Sequence, residues 1–282
     1  MKNFLTNPLI VKEMRERFRT KKSFWILALY LFVMGAMLLG FMYINQLNRF
    51  QTPGENRELF IWTAVIQYAI ICFIAPALSA GTISGERERQ TLSVLLTTQI
   101  TPGWIISSKL ITSLAFIFLL VVASLPLYSF VFLYGGISPQ QLFLLVLFFA
   151  VNIVFFGALG IFCSTWIKRT GVSTITAYGL AFFFVVGTGL IFIFTGTLLT
   201  ELGPANGQER EIWEHPAMQM LGFLNPVFVM FDLLGQNQLM PTVDYFMTPW
   251  IFFSLVYLGF TVILLLWSTY LLYPIKKAIW KW

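Results

Sequence analysis

An all-α, polytopic membrane protein with six transmembrane helices is the fold class that the sequence predicts, and three observations carry it. The 282 residues are 58% hydrophobic and only 11% charged, against about 25% charged in soluble domains. Six continuous apolar runs reach the roughly 20 residues that a helix needs to span a bilayer. They are unbroken rather than alternating, which excludes a β-barrel. Finally, 15 of the 18 Lys and Arg collect on one side of the six runs. Together these runs take about half of the chain, so residues 1–282 form a single transmembrane domain. Its parts are an N-terminal interfacial helix (1–23), five spans (24–199), an outer loop with short re-entrant helices (200–249), and a sixth span with its tail (250–282). The net charge of +6 sits on a chain too apolar to stay solvated, so no disordered tail and no nucleic-acid partner is expected. Cys72 and Cys163 lie inside apolar runs and His215 is the single histidine, which leaves no material for a disulfide framework or a metal site.

At the N-terminal end, Asn7-Pro8 reads as an N-cap followed by Pro in the first helical position, opening a helix that runs through Lys22. Ile10, Val11, Met14 and Phe18 share one face, and Lys12, Arg15, Arg19 and Lys22 form a basic stripe beside it. That pattern fits a helix lying among lipid headgroups, as a plain anchor or as an elbow that transmits force. The first span, Phe24 to Ile44, is followed by no small-residue cleavage pattern and is expected to stay as an anchor.

The remaining spans are Leu59 to Leu78, Leu110 to Leu133, Leu142 to Trp166, Gly171 to Leu199 and Trp250 to Tyr273. Basic residues near span ends are retained in the cytoplasm, so both termini and the loops around Glu86 and Lys168 are placed inside. Trp25, Trp104, Trp166 and Trp250 fall near the interfaces, as an aromatic belt does. The fifth run is longer than a bilayer requires and must tilt, bend or protrude. Between Thr200 and Pro249, the apolar stretch Pro216 to Leu234 is interrupted by Asn225-Pro226. Each half is about half a span long, so two re-entrant or interfacial helices are expected rather than a seventh crossing.

None of the spans carries an ionisable Asp, Glu, Lys, Arg or His in its interior, which disfavours a proton-driven antiporter or an ion pump. Gln67 and Asn152 are the larger polar side chains there. They serve either helix-to-helix hydrogen bonding or a substrate pathway.

Between the second and third spans, Ser84 precedes a run of helix formers in which Leu92, Leu95 and Leu96 fall on one face, and Thr101-Pro102-Gly103 ends it. A helix of that kind rests its leucines on lipid or on another protein. The stretch Ser84-Gly85-Glu86-Arg87-Glu88-Arg89-Gln90-Thr91-Leu92, with Leu95-Leu96-Thr97-Thr98, Thr101-Pro102 and Lys109 after it, resembles the motif of ABC transporter permeases of the second, export-type class. The segment from Asn7 to Arg19 is similar to that family's connecting helix, and Leu224-Asn225-Pro226 to a step before its last span.

The resemblance implies a permease that pairs with a second permease, the same chain or a paralogue, and couples by alternating access to two separate ABC ATPase subunits. It implies a coupling helix whose contacts come from Gly85, Glu86, Arg87, Glu88, Arg89, Leu92, Leu95 and Leu96. No Lys follows a Gly, so the phosphate-cradling loop is missing from the sequence. ATP and Mg are therefore expected on the partner, with no cofactor, no metal and no catalytic residue in this chain. Separate subunits resemble a prokaryotic arrangement in the cytoplasmic membrane. The competing readings are a membrane scaffold or assembly factor that moves nothing, and a lipid-modifying enzyme, for which the outer Glu, Asp and His residues offer no recognisable spacing.

Overall fold

The computed structural model describes residues 11, 14–15, 18–47, 55–97, 101–133, 138–202, 216–236 and 247–273. Those residues are helical, without a strand. The helices are α1 (Lys21–Leu47), α2 (Glu55–Ser79), α3 (Ser84–Glu88), α4 (Leu92–Thr97), α5 (Pro102–Leu133) and α6 (Pro139–Trp166). After them come α7 (Thr170–Phe182), a π-helical turn (Phe183–Gly187), α8 (Thr188–Leu202), α9 (Pro216–Leu224), α10 (Pro226–Leu233) and α11 (Pro249–Leu272). Six candidate spans result from α1, α2, α5, α6, the α7–α8 pair and α11.

Helix α6 is the axis of the bundle. Residues such as Asn152, Ile153, Phe155, Phe156 and Ile161 are enclosed around its whole circumference, as expected of a helix apolar on every face. It starts where the chain dictates. Ser138 accepts a bond from the Gln141 amide at 3.2 Å, the Gln141 side chain accepts one from the Ser138 amide, and Pro139 fills the first helical position, a complete capping box. Helices α2, α5, α7 and α11 surround α6. Helix α6 meets the end of α2 tightly at Gly160, where a Cβ would overlap the Ser79 hydroxyl and lie 3.1 Å from the Ala80 backbone nitrogen. Helix α1 joins this core at Leu38 and forms a second cluster in which its Tyr30 and Met34 pack with Phe116 and Leu120 of α5.

Two sequence expectations about boundaries are corrected. The third span begins at Pro102, not Leu110, so Lys109 lies within a helix and is neutralised there instead of standing in the loop. The N-terminal helix does not continue through Lys22. The chain turns at Arg19 and Thr20, the Thr20 and Ser23 hydroxyls meet at 3.0 Å, and Lys22 already belongs to α1. Arg15 and Arg19 are exposed as the basic stripe requires, while Phe18 faces Phe116 of α5 with ring centroids 6.3 Å apart. Lys12, the start at Asn7-Pro8 and the side chain of Lys22 lie outside the described residues, as do His215 and the tail lysines.

Gln67 and Asn152 turn out to be internal. Gln67 accepts a bond from the Tyr30 hydroxyl, joining α1 to α2. Asn152 accepts one from Tyr68 at 3.3 Å, joining α2 to α6, and donates to the Phe148 carbonyl at 2.9 Å. Both side chains are fully enclosed within the chain, where each bonds to a neighbouring helix. Helix-to-helix bonding is the role that the geometry gives them.

The stretch after the fifth span is a re-entrant hairpin. Its far end returns to the start of α2, where Arg57 donates to the Leu234 carbonyl from Nη2 at 2.6 Å and from Nε at 3.2 Å. Its apex reaches Tyr257, whose hydroxyl donates to the Leu224 carbonyl at 3.0 Å. Eight residues separate Tyr257 from the start of α11, placing the apex about 12 Å below that end of the bundle. Asn225 shapes the apex: its Oδ1 accepts bonds from the Val227 and Phe228 amides at 2.8 and 3.1 Å, and Pro226 follows at the first position of α10.

Candidate functional site

The loop between α2 and α5 is fastened before it is functional. At its root, the Ile83 and Ser84 amides both donate to the Ser164 hydroxyl of α6 at 2.9 Å. The Ala80 carbonyl accepts from Ser84 at 3.1 Å and from Ser173 of α7 at 2.8 Å. Ser84 therefore bonds backward, and α3 begins without a side-chain cap.

The expected continuous helix is two short ones. At the end of α3 the Thr91 amide donates to the Glu86 carbonyl (2.9 Å) and the Gln90 amide to the Arg87 carbonyl (3.1 Å). Gln90 sits at φ 60°. This is a Schellman turn with glutamine in the left-handed position where glycine is usual, and it redirects the chain into α4.

Each charged residue of α3 then holds a different span. The Glu86 carboxylate accepts from Lys109 of α5 at 3.0 Å and from the Thr91 hydroxyl. Arg87 donates to the Thr165 carbonyl at the end of α6 at 3.2 Å. Glu88 receives the Thr170 amide and hydroxyl, both at 2.8 Å, and so caps the first turn of α7 from another segment. Burial pushes the Glu86 carboxyl upward, but the Thr91 hydroxyl, Lys109 and Arg89 outweigh it and leave it below its ordinary value. The Thr170 amide and hydroxyl hold Glu88 low as well. Both are acceptors locked in place. A Cβ at Gly85 would lie 3.6 Å from Thr170 Cγ2, so α3 and α7 are in close but unstrained contact.

The leucine face points inward. Leu92 is 9% exposed within the core, and Leu95 and Leu96 are half-buried against that same core. Spacing alone leaves this face to lipid or to another protein; in the structure the three leucines lay α4 down on its own bundle. What the loop presents outward is polar: Glu88, Arg89, Gln90, Thr91 and Ser93 are exposed. Sequence reasoning named Gly85 to Arg89 and missed Ser164, Thr165 and Thr170, which receive them. Ser164 and Thr165 close an apolar run without any local signal, and only Arg169-Thr170 before the fifth span hinted at a helix start.

Comparison with curated proteins gives no match. The model of the family described as ABC-2 family transporter protein matches residues 8–274, which takes in every span, the fastened loop and the re-entrant hairpin. The chain belongs to the ABC-2 transporter family and is a multi-pass membrane permease component of an ABC transporter.

Proposed function

We propose that this permease works in an export complex, with a second permease, the same chain or a paralogue, and with two separate ATPase subunits that bind ATP and Mg. The observation that carries this reading is the Arg89-Gln90-Thr91 turn, held outward while Glu86, Arg87 and Glu88 tie its base to the third, fourth and fifth spans. A push on the turn is delivered to three spans at once, and alternating access needs such a fixed linkage. The docking contact is then the exposed polar turn, with the leucines behind it as support. The 15 of 18 basic residues on the loop side favour a cytoplasmic loop and cytoplasmic termini, where ATP is available.

Affinity purification of the full chain from its own membrane tests this reading. ATPase subunits should co-purify in stoichiometric amount, and Arg89→Glu should lower their recovery in a salt-dependent way while the permease stays folded. Failure to recover any ATPase would favour the scaffold reading. Full recovery with Arg89→Glu would remove the turn from the contact.

A further inference from the structure

We propose that the fifth span is hinged at its π-helical turn, and that Asn225 of the re-entrant hairpin is the pin that holds the hinge closed. The two halves of this span have different neighbours. The inner half, α7, is part of the core: Ser173, Ala177 and Ala181 are buried, Tyr178 stacks on Phe73 of α2 at 5.0 Å, and Glu88 caps its first turn. In the outer half, α8, no residue from 188 to 199 is buried. Its partners are the hairpin and the π turn, with Phe192 against Phe228 at 5.1 Å and a Cβ at Gly196 placed 3.5 Å from Met218. The hairpin in turn rests on α6 and α11, so it stands as a wedge between α8 and the core.

The π turn sits where these two regimes meet. Widening a helix from i+4 to i+5 bonding displaces backbone groups, and within a bilayer those groups need side-chain partners. Two are supplied. Thr188 donates to the Phe184 carbonyl at 2.8 Å, and Asn225 Nδ2 donates to the Val185 carbonyl at 3.0 Å and to the Thr188 hydroxyl at 2.9 Å. A Cβ at Gly189 would lie 3.0 Å from the same nitrogen, so a glycine there lets the amide come in. On the other side Phe184 packs against Phe155 at 5.0 Å, which fixes the inner edge of the turn. Breaking the pin frees α8 to pivot at residues 183–187 while α7 stays. With α8 about 22 Å long, a swing of about 10° carries its end by about 4 Å. This inference stands on the packing alone and holds whatever the complex transports.

Pulsed spin-label distances on the full-length chain in lipid nanodiscs test it, with Cys72 and Cys163 replaced by Ala. Labels at Phe143 and Leu198 report α8 against the core, and labels at Phe143 and Ile175 report α7 against the core. Asn225→Ser keeps an oxygen to cap α10 but cannot reach Val185, and Thr188→Val removes the hydroxyl without changing shape. In both variants the Phe143–Leu198 distribution should broaden by several ångström while Phe143–Ile175 stays as in the parent. The proposal is overturned if Phe143–Leu198 is unchanged in both variants, or if the two distributions broaden together, since the span would then have no hinge at the turn.

Discussion

The Glu86–Lys109 pair makes a sharp energetic prediction because its two ends are unequally covered. The ion pair spans 3.0 Å, with Lys109 9% and Glu86 31% exposed. Breaking a fully buried pair costs about 3–5 kcal/mol, mostly from the charge left behind. Glu86→Ala strips the carboxylate from the better covered charge and also removes an acceptor of the Thr91 hydroxyl. After discounting for water reaching Glu86, its cost should be about 2–3 kcal/mol. Lys109→Met keeps the aliphatic stem and leaves a carboxylate that still has Thr91 and solvent, for about 1 kcal/mol. The double variant removes both members of the pair together and should also cost only about 1 kcal/mol. It should therefore be more stable than Glu86→Ala alone, with a coupling of about 2 kcal/mol. Equilibrium unfolding in mixed detergent micelles, run on all four proteins, reads the cycle. A double variant at the sum of the singles, or Lys109→Met costlier than Glu86→Ala, would refute the reasoning.

Three further outcomes follow from the same geometry. Gly160→Ala should lower stability by about 1–3 kcal/mol through overpacking at Ser79 and Ala80, and Ser79→Gly should recover part of that loss in melting experiments; independent effects would mean that the crossing relaxes freely. A cysteine replacing Gln140 should react with a membrane-impermeant reagent on intact cells and one replacing Ser93 should not, whereas the reverse pattern inverts the orientation. Because the folded Glu86 and Glu88 values are lowered, their stabilisation is complete above the unfolded carboxylate value of about 4.3 and is lost as pH falls through the lower folded values. A spin label at Ser93 should thus keep one mobility from neutral pH down to that range and become mobile only below it. A transition near neutral pH would contradict this assignment.

Hydropathy and length were enough to read the six spans, since continuous apolar runs have no other stable setting. The re-entrant hairpin was legible too, from Asn225-Pro226 in the middle of a stretch too short to cross twice. Where the reading failed, the deciding partner was remote in sequence. Lys109 looked like a loop residue because its carboxylate lies 23 positions earlier, and a charge at the foot of a helix lowers any apolar window. The leucines at 92, 95 and 96 were correctly set on one face, but periodicity does not tell whether that face meets its own bundle or another chain. The helix break at Gln90 was invisible because glutamine rarely takes a left-handed backbone. Because Leu95 packs on the bundle, an Asp in its place would unseat α4 whether or not an ATPase is present.

The bond from Tyr257 to Leu224 has a consequence for how the chain is assembled. Its acceptor is made 33 residues before its donor, and the wedge rests on a sixth span that does not yet exist when residues 216–236 are synthesised. Until α11 is threaded, the Leu224 carbonyl lacks that donor, and a buried unpaired carbonyl is costly in hydrocarbon. The hairpin must therefore wait at the water boundary and sink last. A chain ended after Gln236 should leave this segment open to added protease on the outer side, while the full chain protects it. The final span thus closes the fold as well as crossing the membrane, by admitting the last piece to its seat.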